Sequence, residues 1–412
     1  MKRNNLLFVS PRFLFPADCG GKIRTRDILR GMKGGRFEIT LASPEPPEGS
    51  RRFADELLRV CDRFVGWPET TRGPLWTIAR CMSLLSPFPV AVASDRSEAG
   101  RDVLAAELAR GTDVVVADFP HATVLLPARL RSSSVLFTHN VEAEIFRRHA
   151  GVAPSPFHRA VWGSQGRKMQ RFEDDAARRF DAVVAVSERD GKHFGGICGS
   201  DRVFVIPTGV DLDYFSFQET EPPVPPGGGT VAFTGSMDWL ANVDGVRCFM
   251  DEVWPLIARA RPAARMVVVG HSPPRALVQA AKDRQLAWTF TGFVDDIRPY
   301  LRDAHVYVIP LRVGGGTRIK AYEAMAAGCP VVSTSIGVEG LPVMPDRDCF
   351  IGDSAEAFGA AVLRLLDDAG ARRTLARNGR HLVEHRFSAK AAAAGFEDAC
   401  LRAVAMAERA AA

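Results

Sequence analysis

Short apolar runs alternate with longer amphipathic stretches along nearly the whole chain. In the first half the runs are Leu6–Ser10, Glu38–Ser43, Val114–Asp118, Val135–Thr138, Ala182–Val186 and Val203–Ile206. In the second half they are Thr230–Thr234, Met266–Val269, Trp288–Thr291, His305–Ile309, Val331–Thr334 and Cys349–Ile351. Runs so short and so continuously apolar predict strands buried on both faces, hence parallel sheets covered by helices. Between the halves, residues 219–229 carry four prolines and three glycines, which continue neither sheet and predict a linker. The expected fold class is α/β, with two doubly wound Rossmann-like domains over 1–218 and 230–385. A last helix, within 386–412, is expected to cross back to the first domain. Ligands of such sheets bind at the carboxyl ends of the strands, so two facing domains would form a cleft.

The loop after His305–Ile309 carries the richest chemistry. Gly314, Gly315 and Gly316 make a turn, and a helix starts near Thr317 with Arg318, Lys320 and Glu323 in its first two turns. Glycines let the backbone come close to a ligand, and the open N–H groups of a helix start favour an anion. Two cations strengthen that preference, and arginine can grip a phosphate with two parallel bonds. Glu323, farther along, suits the hydroxyls of a sugar. The set describes a site for a nucleotide-diphosphate sugar. A plainer reading makes the glycines a helix start and Lys320 with Glu323 a surface pair. The strand–loop–helix–strand order, closed by Gly328-Cys329-Pro330-Val331, favours the pocket. Gly20-Gly21 precede a second amphipathic helix start at Lys22–Arg26, unless they only make a plain turn, and His139 follows the strand Val135–Thr138, where it points into the cleft or, in the plainer reading, caps the strand end as a structural residue.

Composition narrows the field. The 412 residues suffice for two full cores, and 46% hydrophobic with 25% charged residues is ordinary for a globular protein. A net charge of +5 without a dense Lys/Arg run argues against nucleic acid. No apolar run reaches the roughly 18 residues that span a bilayer. The start, Met1–Ser10, reads as a first strand rather than a signal peptide. Eight cysteines show neither a CxxC pair nor metal-ligand spacing and read as reduced thiols, so a cytoplasmic location is expected.

Several segments, in this order and spacing, resemble a known family. They are Gly20-Gly21, Thr138-His139-Asn140-Val141-Glu142, Val186-Ser187-Glu188, Ile206-Pro207-Thr208-Gly209-Val210-Asp211, Gly292-Phe293-Val294-Asp295-Asp296 and Glu323-Ala324-Met325-Ala326-Ala327-Gly328. Together they resemble the GT-B glycosyltransferases, and within them the retaining glycosyltransferase family 4. The resemblance covers nearly the whole chain and is strongest from Gly235 to Gly340. It implies transfer of a sugar, with retention, from a nucleotide-diphosphate sugar to an acceptor hydroxyl in cell-surface polysaccharide or glycoconjugate synthesis. It implies donor contacts from Gly20, Gly21, Gly235, Gly315, Gly316, Thr317, Arg318, Lys320 and Glu323. His139 would touch the donor sugar and help catalysis. The acceptor would be a saccharide or a lipid-linked one, with no cofactor and with peripheral contact to the inner face of the membrane.

Two departures from the family pattern matter. Gly315 stands where the first glutamate of a Glu-x7-Glu motif would fall, leaving Glu323 as the second, ribose-binding one. Residues 233–242 lack the cations of many relatives, and none comes before Arg247, so Arg318 and Lys320 are expected to supply the charge. No metal is expected, because Asp211-Leu212-Asp213 reads as part of the hinge pattern rather than a ligand pair. Trp67, Trp76 and Phe88 would suit sugar stacking on the acceptor side, although such aromatics more often build core. The stretch Arg147–Arg179, with Trp162 and Met169, would suit a membrane or lipid-phosphate contact, whereas Glu173, Asp174 and Asp175 suggest a solvated helix face. A GT-B epimerase or hydrolase lacks the Gly-Thr-Arg-x-Lys and Glu-Ala-Met-Ala order, and a non-catalytic carbohydrate-binding relative would show no transfer. A dinucleotide oxidoreductase needs a G-x-G-x-x-G that Phe13–Arg24 does not contain.

Overall fold

A computed structural model describes residues 3–70, 80, 82–151, 153, 155–217, 222–313 and 319–411. The chain forms two compact units, residues 1–209 with 389–412, and residues 210–388.

The first unit is built on one all-parallel sheet. Its strands are β1 (Asn4–Val9), β2 (Phe37–Glu45), β3 (Arg63–Pro68), β4 (Val114–Asp118), β5 (Ser133–Phe137), β6 (Ala182–Ala185) and β7 (Val203–Val205). They lie in the order β3-β2-β1-β4-β5-β6-β7. Every residue of β4 and β5 is buried, as continuous apolar runs require of central strands. The edge strand β3 was not legible, because Arg63, Gly66 and Pro68 break its apolar run. An edge position tolerates that. Trp67, weighed as a sugar platform, is 3% exposed and packs on Gly100, so it is core. Trp76 lies outside the described residues. Phe88 packs edge-on against Phe172.

The helix Ala389–Ala411 belongs to this first unit. Its Phe396 is fully buried beside Phe8 and Phe137, with ring centroids 6.4 and 4.8 Å away. Ala393 lies so close to Gly31 of the helix Gly20–Met32 that a Cβ on Gly31 would fall 2.3 Å from that of Ala393.

The second unit holds β8 (Gly228–Thr234), β9 (Ala263–Val269), β10 (Trp288–Phe290), β11 (Val306–Ile309), β12 (Val331–Ser333) and β13 (Phe350–Ile351). Their order is β10-β9-β8-β11-β12-β13, again all parallel. The boundary between units falls after Gly209, earlier than the 219–229 segment. The Val210 N–H bonds the Phe387 carbonyl at 2.8 Å, and Phe215 is buried in the second unit's core. Gly228 and Gly229, expected in the linker, open β8. Among the described cysteines all are free thiols, and Cys61, Cys329, Cys349 and Cys400 are buried.

Candidate functional site

In each sheet the strand order reverses once, between β1 and β4 in the first unit and between β8 and β11 in the second. Loops leaving such neighbours part company, and the crevice they leave is the usual ligand position of the fold.

At the first reversal, Asp118 ends β4 and is 2% exposed. Its carboxylate accepts from Ser10 Oγ at 3.0 Å and from Thr25 Oγ1 at 3.2 Å. His139 Nε2 lies 2.6 Å from Asp118 Oδ1, and His139 Nδ1 lies 2.8 Å from the Arg24 guanidinium. A guanidinium can only donate, so Nδ1 must accept. The ring proton therefore sits on Nε2 and is donated to Asp118, which fixes the neutral tautomer. Burial lowers the His139 pKa, with Asp118 working against it and Arg24 adding to the fall. His139 is 3% exposed and presents neither nitrogen to a ligand, which corrects the expectation that it projects into a cleft. Its ring stacks on Phe119 at 3.9 Å. Phe119 has φ 65°, a left-handed value that a non-glycine residue holds at a cost. A Cβ on Gly21 would stand 2.9 Å from the Phe119 ring, so the glycine is needed for that ring to fit. Gly20 opens the helix Gly20–Met32 with no side chain capping its start.

The stretch after His139 is held by a residue that was read as lying on a solvated face. Glu173 is fully buried, and its two carboxylate oxygens accept from the N–H groups of Glu142 and Ala143 at 2.7 and 2.8 Å. It caps the helix Glu142–Gly151 from within the helix Pro156–Arg179. Burial pushes its pKa up to about 8, against the pull of the two N–H groups. A raised carboxyl pKa means the folded state holds a proton that the unfolded chain has lost. Stability should therefore fall as pH rises from about 4.5 to 8, by up to roughly 1.4 kcal/mol per pH unit. Unfolding free energies of the wild type and Glu173→Gln across that window test this. Parallel curves for the two proteins would remove Glu173 as the cause.

At the second reversal Gly235 leaves β8. A Cβ there would meet Asn242 Nδ2 and Lys320 Nζ, each at 2.7 Å. Lys320 Nζ donates to Asn242 Oδ1 at 2.8 Å and lies 4.2 Å from the centre of the Phe233 ring. Asn242 Nδ2 in turn donates to the Ser236 carbonyl at 2.7 Å. The ammonium from the first turn of the helix Ile319–Ala326 is thus held against the glycine loop. The loop after β9 touches the same place. A Cβ on Gly270 would fall 1.9 Å from the Gly235 carbonyl oxygen, and His271 Nε2 is 2.7 Å from Ser236 Oγ. Glu323, one turn along, is 8% exposed, so it is no surface residue. Its charge adds to the burial that raises the Tyr307 phenol, whose oxygen bonds Thr234 Oγ1 at 2.6 Å.

The structure therefore brings together Gly235, Lys320 and Glu323. Gly315, Gly316, Thr317 and Arg318 lie outside the described residues. Asn242, Ser236 and His271 were missed by sequence reasoning, because only the fold brings the segment 236–242 beside the loop after β9 and beside Lys320. Asp211 Oδ1 accepts the N–H groups of Asp213 and Tyr214 at 3.1 and 3.0 Å and so caps its own turn. Among the described residues, no helix is long and apolar enough to cross a membrane.

Residues 20–214 match the family described as Glycosyltransferase Family 4, and residues 228–368 match Glycosyl transferases group 1. Over 155 residues the chain is 32% identical to a phosphatidyl-myo-inositol mannosyltransferase of Mycobacterium tuberculosis, covering 37% of this chain and 40% of that one. The chain thus spans less than half the length of that relative. Sucrose-phosphate synthase from Thermosynechococcus elongatus has the same fold, with a TM-score of 0.71 at 18% identity over 96% of this chain and 98% of that one. So does Anabaena HepE in complex with UDP, with a TM-score of 0.66 at 15% identity over 96% of this chain and 98% of that one.

Proposed function

Because the chain belongs to the family 4, group 1 glycosyltransferases, we propose that it transfers a sugar from a nucleoside-diphosphate sugar to an acceptor hydroxyl, with retention and without a metal. The observation that carries this reading is the convergence of Gly235, Asn242 and Lys320 at the second unit's strand reversal, with buried Glu323 one turn away. An ammonium beside an open glycine loop suits the diphosphate, and a buried carboxylate suits the ribose hydroxyls. Arg318, with Gly315, Gly316 and Thr317, completes the phosphate grip in this reading. Gly20, Gly21 and His139 are the first unit's contribution. His139 contributes as a neutral ring that holds Arg24 and Asp118 in place rather than as a base.

The acceptor is a saccharide or a lipid-linked one, and the phosphatidyl-myo-inositol in the name of the mannosyltransferase relative is an acceptor of the lipid kind. Work at the cytoplasmic face of a membrane fits the exposed Met82 and Leu85, which are 69% and 92% exposed and flank Leu84, whose carbonyl accepts from the basic Lys168.

A thermal-shift screen with uridine, guanosine and adenosine diphosphates in EDTA tests the nucleotide site. At least one should raise Tm, because a ligand of the native state stabilises it by mass action. No shift with any of the three would sink the reading. With the matching α-linked sugar nucleotide, NMR should show an α-linked product in EDTA. A β-linked product would overturn retention, and turnover restored only by magnesium or manganese would overturn metal independence.

A further inference from the structure

The turn that leaves β4 holds a second histidine–aspartate pair, which the site described above does not use. His121 Nδ1 lies 2.7 Å from Asp95 Oδ2. An ionised carboxylate can only accept, so the ring proton sits on Nδ1, and the neutral ring keeps Nε2 as a bare acceptor. In His139 the proton is on the other nitrogen, and both nitrogens are engaged. His121 is 8% exposed, and its Nε2 is buried with no hydrogen-bond partner among the described residues. Native proteins leave few such atoms unmet, because desolvation without a bond is costly. The pair nevertheless lies just below the surface, since 11% of the His121 side chain and 18% of the Asp95 side chain reach solvent. An acceptor so placed suits a ligand that brings its own O–H.

Its place in the fold points the same way. His121 follows Asp118 closely, at the carboxyl end of β4, where the strand order reverses. The two loops leaving that point turn to opposite faces of the sheet. The chain after β1 enters the helix Gly20–Met32, whose Ile28 and Leu29 share a core with Phe8. The chain after β4 enters the turn Pro120–Leu125, whose Ala122 and Leu125 pack in the core of Leu104 and Phe180. His121 therefore flanks the first unit's crevice on the side away from the helix Gly20–Met32. Asp95 follows the short helix Val90–Ala93. The Val90 N–H donates to the buried Gln165 Oε1 at 2.8 Å, and the Asp95 N–H donates to the Val92 carbonyl at 3.1 Å. The carboxylate is thus set in place by the backbone and does not depend on the ring to hold it.

We propose that His121 Nε2 accepts a hydrogen bond from a hydroxyl of a neutral polyol, a sugar or cyclitol ring, and that Asp95 is the positioning residue that keeps the ring in the accepting tautomer. The polyol contact stands on the pair itself, and its role as the sugar acceptor rests on the transferase reading above. The Asp95 carboxylate beside the ring disfavours an anion, so the phosphate of a lipid-linked acceptor lies elsewhere. The contact holds and orients the hydroxyl, whose proton stays on its oxygen.

NMR of the full chain with isotope-labelled histidine rings tests the assignment. The probes are methyl α-D-mannopyranoside, methyl α-D-glucopyranoside and myo-inositol, each titrated with and without UDP. In the neutral ring the His121 proton should be found on Nδ1, and at least one probe should shift the Nε2 signal to saturation. His121→Asn keeps a donor for Asp95 at the position of Nδ1 but places nothing at Nε2. It should weaken that probe by roughly tenfold or more, read in ligand-observed titrations, while leaving UDP affinity unchanged. His121→Gln, whose amide reaches the Nε2 position, should recover part of the loss. Asp95→Asn, whose amide can donate to the ring, should let the proton move to Nε2 and weaken the probe too. A merely structural Asp95 would not change the tautomer in step with the affinity. Circular dichroism confirms that each variant is folded. A neutral wild-type ring with its proton on Nε2, no probe that moves the Nε2 signal, or equal probe affinity in His121→Asn would overturn the proposal. Probe binding through His121 without UDP binding would leave the polyol contact standing and count against the transferase reading.

Discussion

Replacing His139 with alanine is expected to lower kcat by roughly 10²–10³ and also to cost about 3 kcal/mol of stability. The double loss follows from where the ring sits. It lies between the buried Arg24 guanidinium and the buried Asp118 carboxylate, accepting from one and donating to the other. Alanine would leave both charges facing a cavity and would strip the stacking partner from Phe119, whose backbone is already strained. A histidine that only touched the sugar would cost rate alone. His139→Gln separates these cases, since its amide can accept from Arg24 and donate to Asp118. It should restore most of the stability and much of the rate. It should also remove an acid-side fall in wild-type activity, which arises when the ring gains a proton against Arg24. Denaturant unfolding and pH–rate profiles read both effects. Wild-type stability in His139→Ala would sink the positioning role.

Lys320→Ala is expected to weaken nucleoside-diphosphate binding by about 1.5–3 kcal/mol, which is a factor of roughly 10 to 150. The ammonium is fixed by Asn242 and by the Phe233 ring, so little ordering remains to be done when a phosphate arrives. Lys320→Arg should not rescue fully, because the larger fork must fit where even a Cβ on Gly235 would crowd Nζ. Calorimetry with the diphosphate found in the screen decides the matter. Undiminished affinity in Lys320→Ala would move the phosphate site elsewhere.

Much of this fold could be read from the sequence because central parallel strands are apolar on both faces. β4, β5, β8 and β11 announce themselves in this way, whereas the edge strand β3 hides behind Arg63 and Pro68. The glycine positions were legible too, but not always their reasons. Gly21 makes room for Phe119, whereas Gly270, which no motif marks, makes room for the Gly235 carbonyl. No local pattern distinguishes a glycine that admits a ligand from one that admits a neighbouring side chain. The partners of His139 lie at positions 24 and 118, and that of Lys320 at 242, so only the folded topology brings them together. Glu173 misled for the same reason. Beside Asp174 and Asp175 it reads as solvated, yet it faces inward and caps a helix thirty residues earlier in the chain.

The return of residues 389–411 to the first unit sets an order of assembly. During synthesis the second unit has all its own residues before the first unit does, because Phe396 and Ala393 emerge last and belong to the core around Phe8 and Phe137. Until then the first sheet must wait with an apolar flank uncovered, open to chaperones and to its own neighbours on the polysome. The second unit is therefore an insertion within the first. Exchange of parts between relatives would have to replace it at two seams, near 209 and 389, rather than at one.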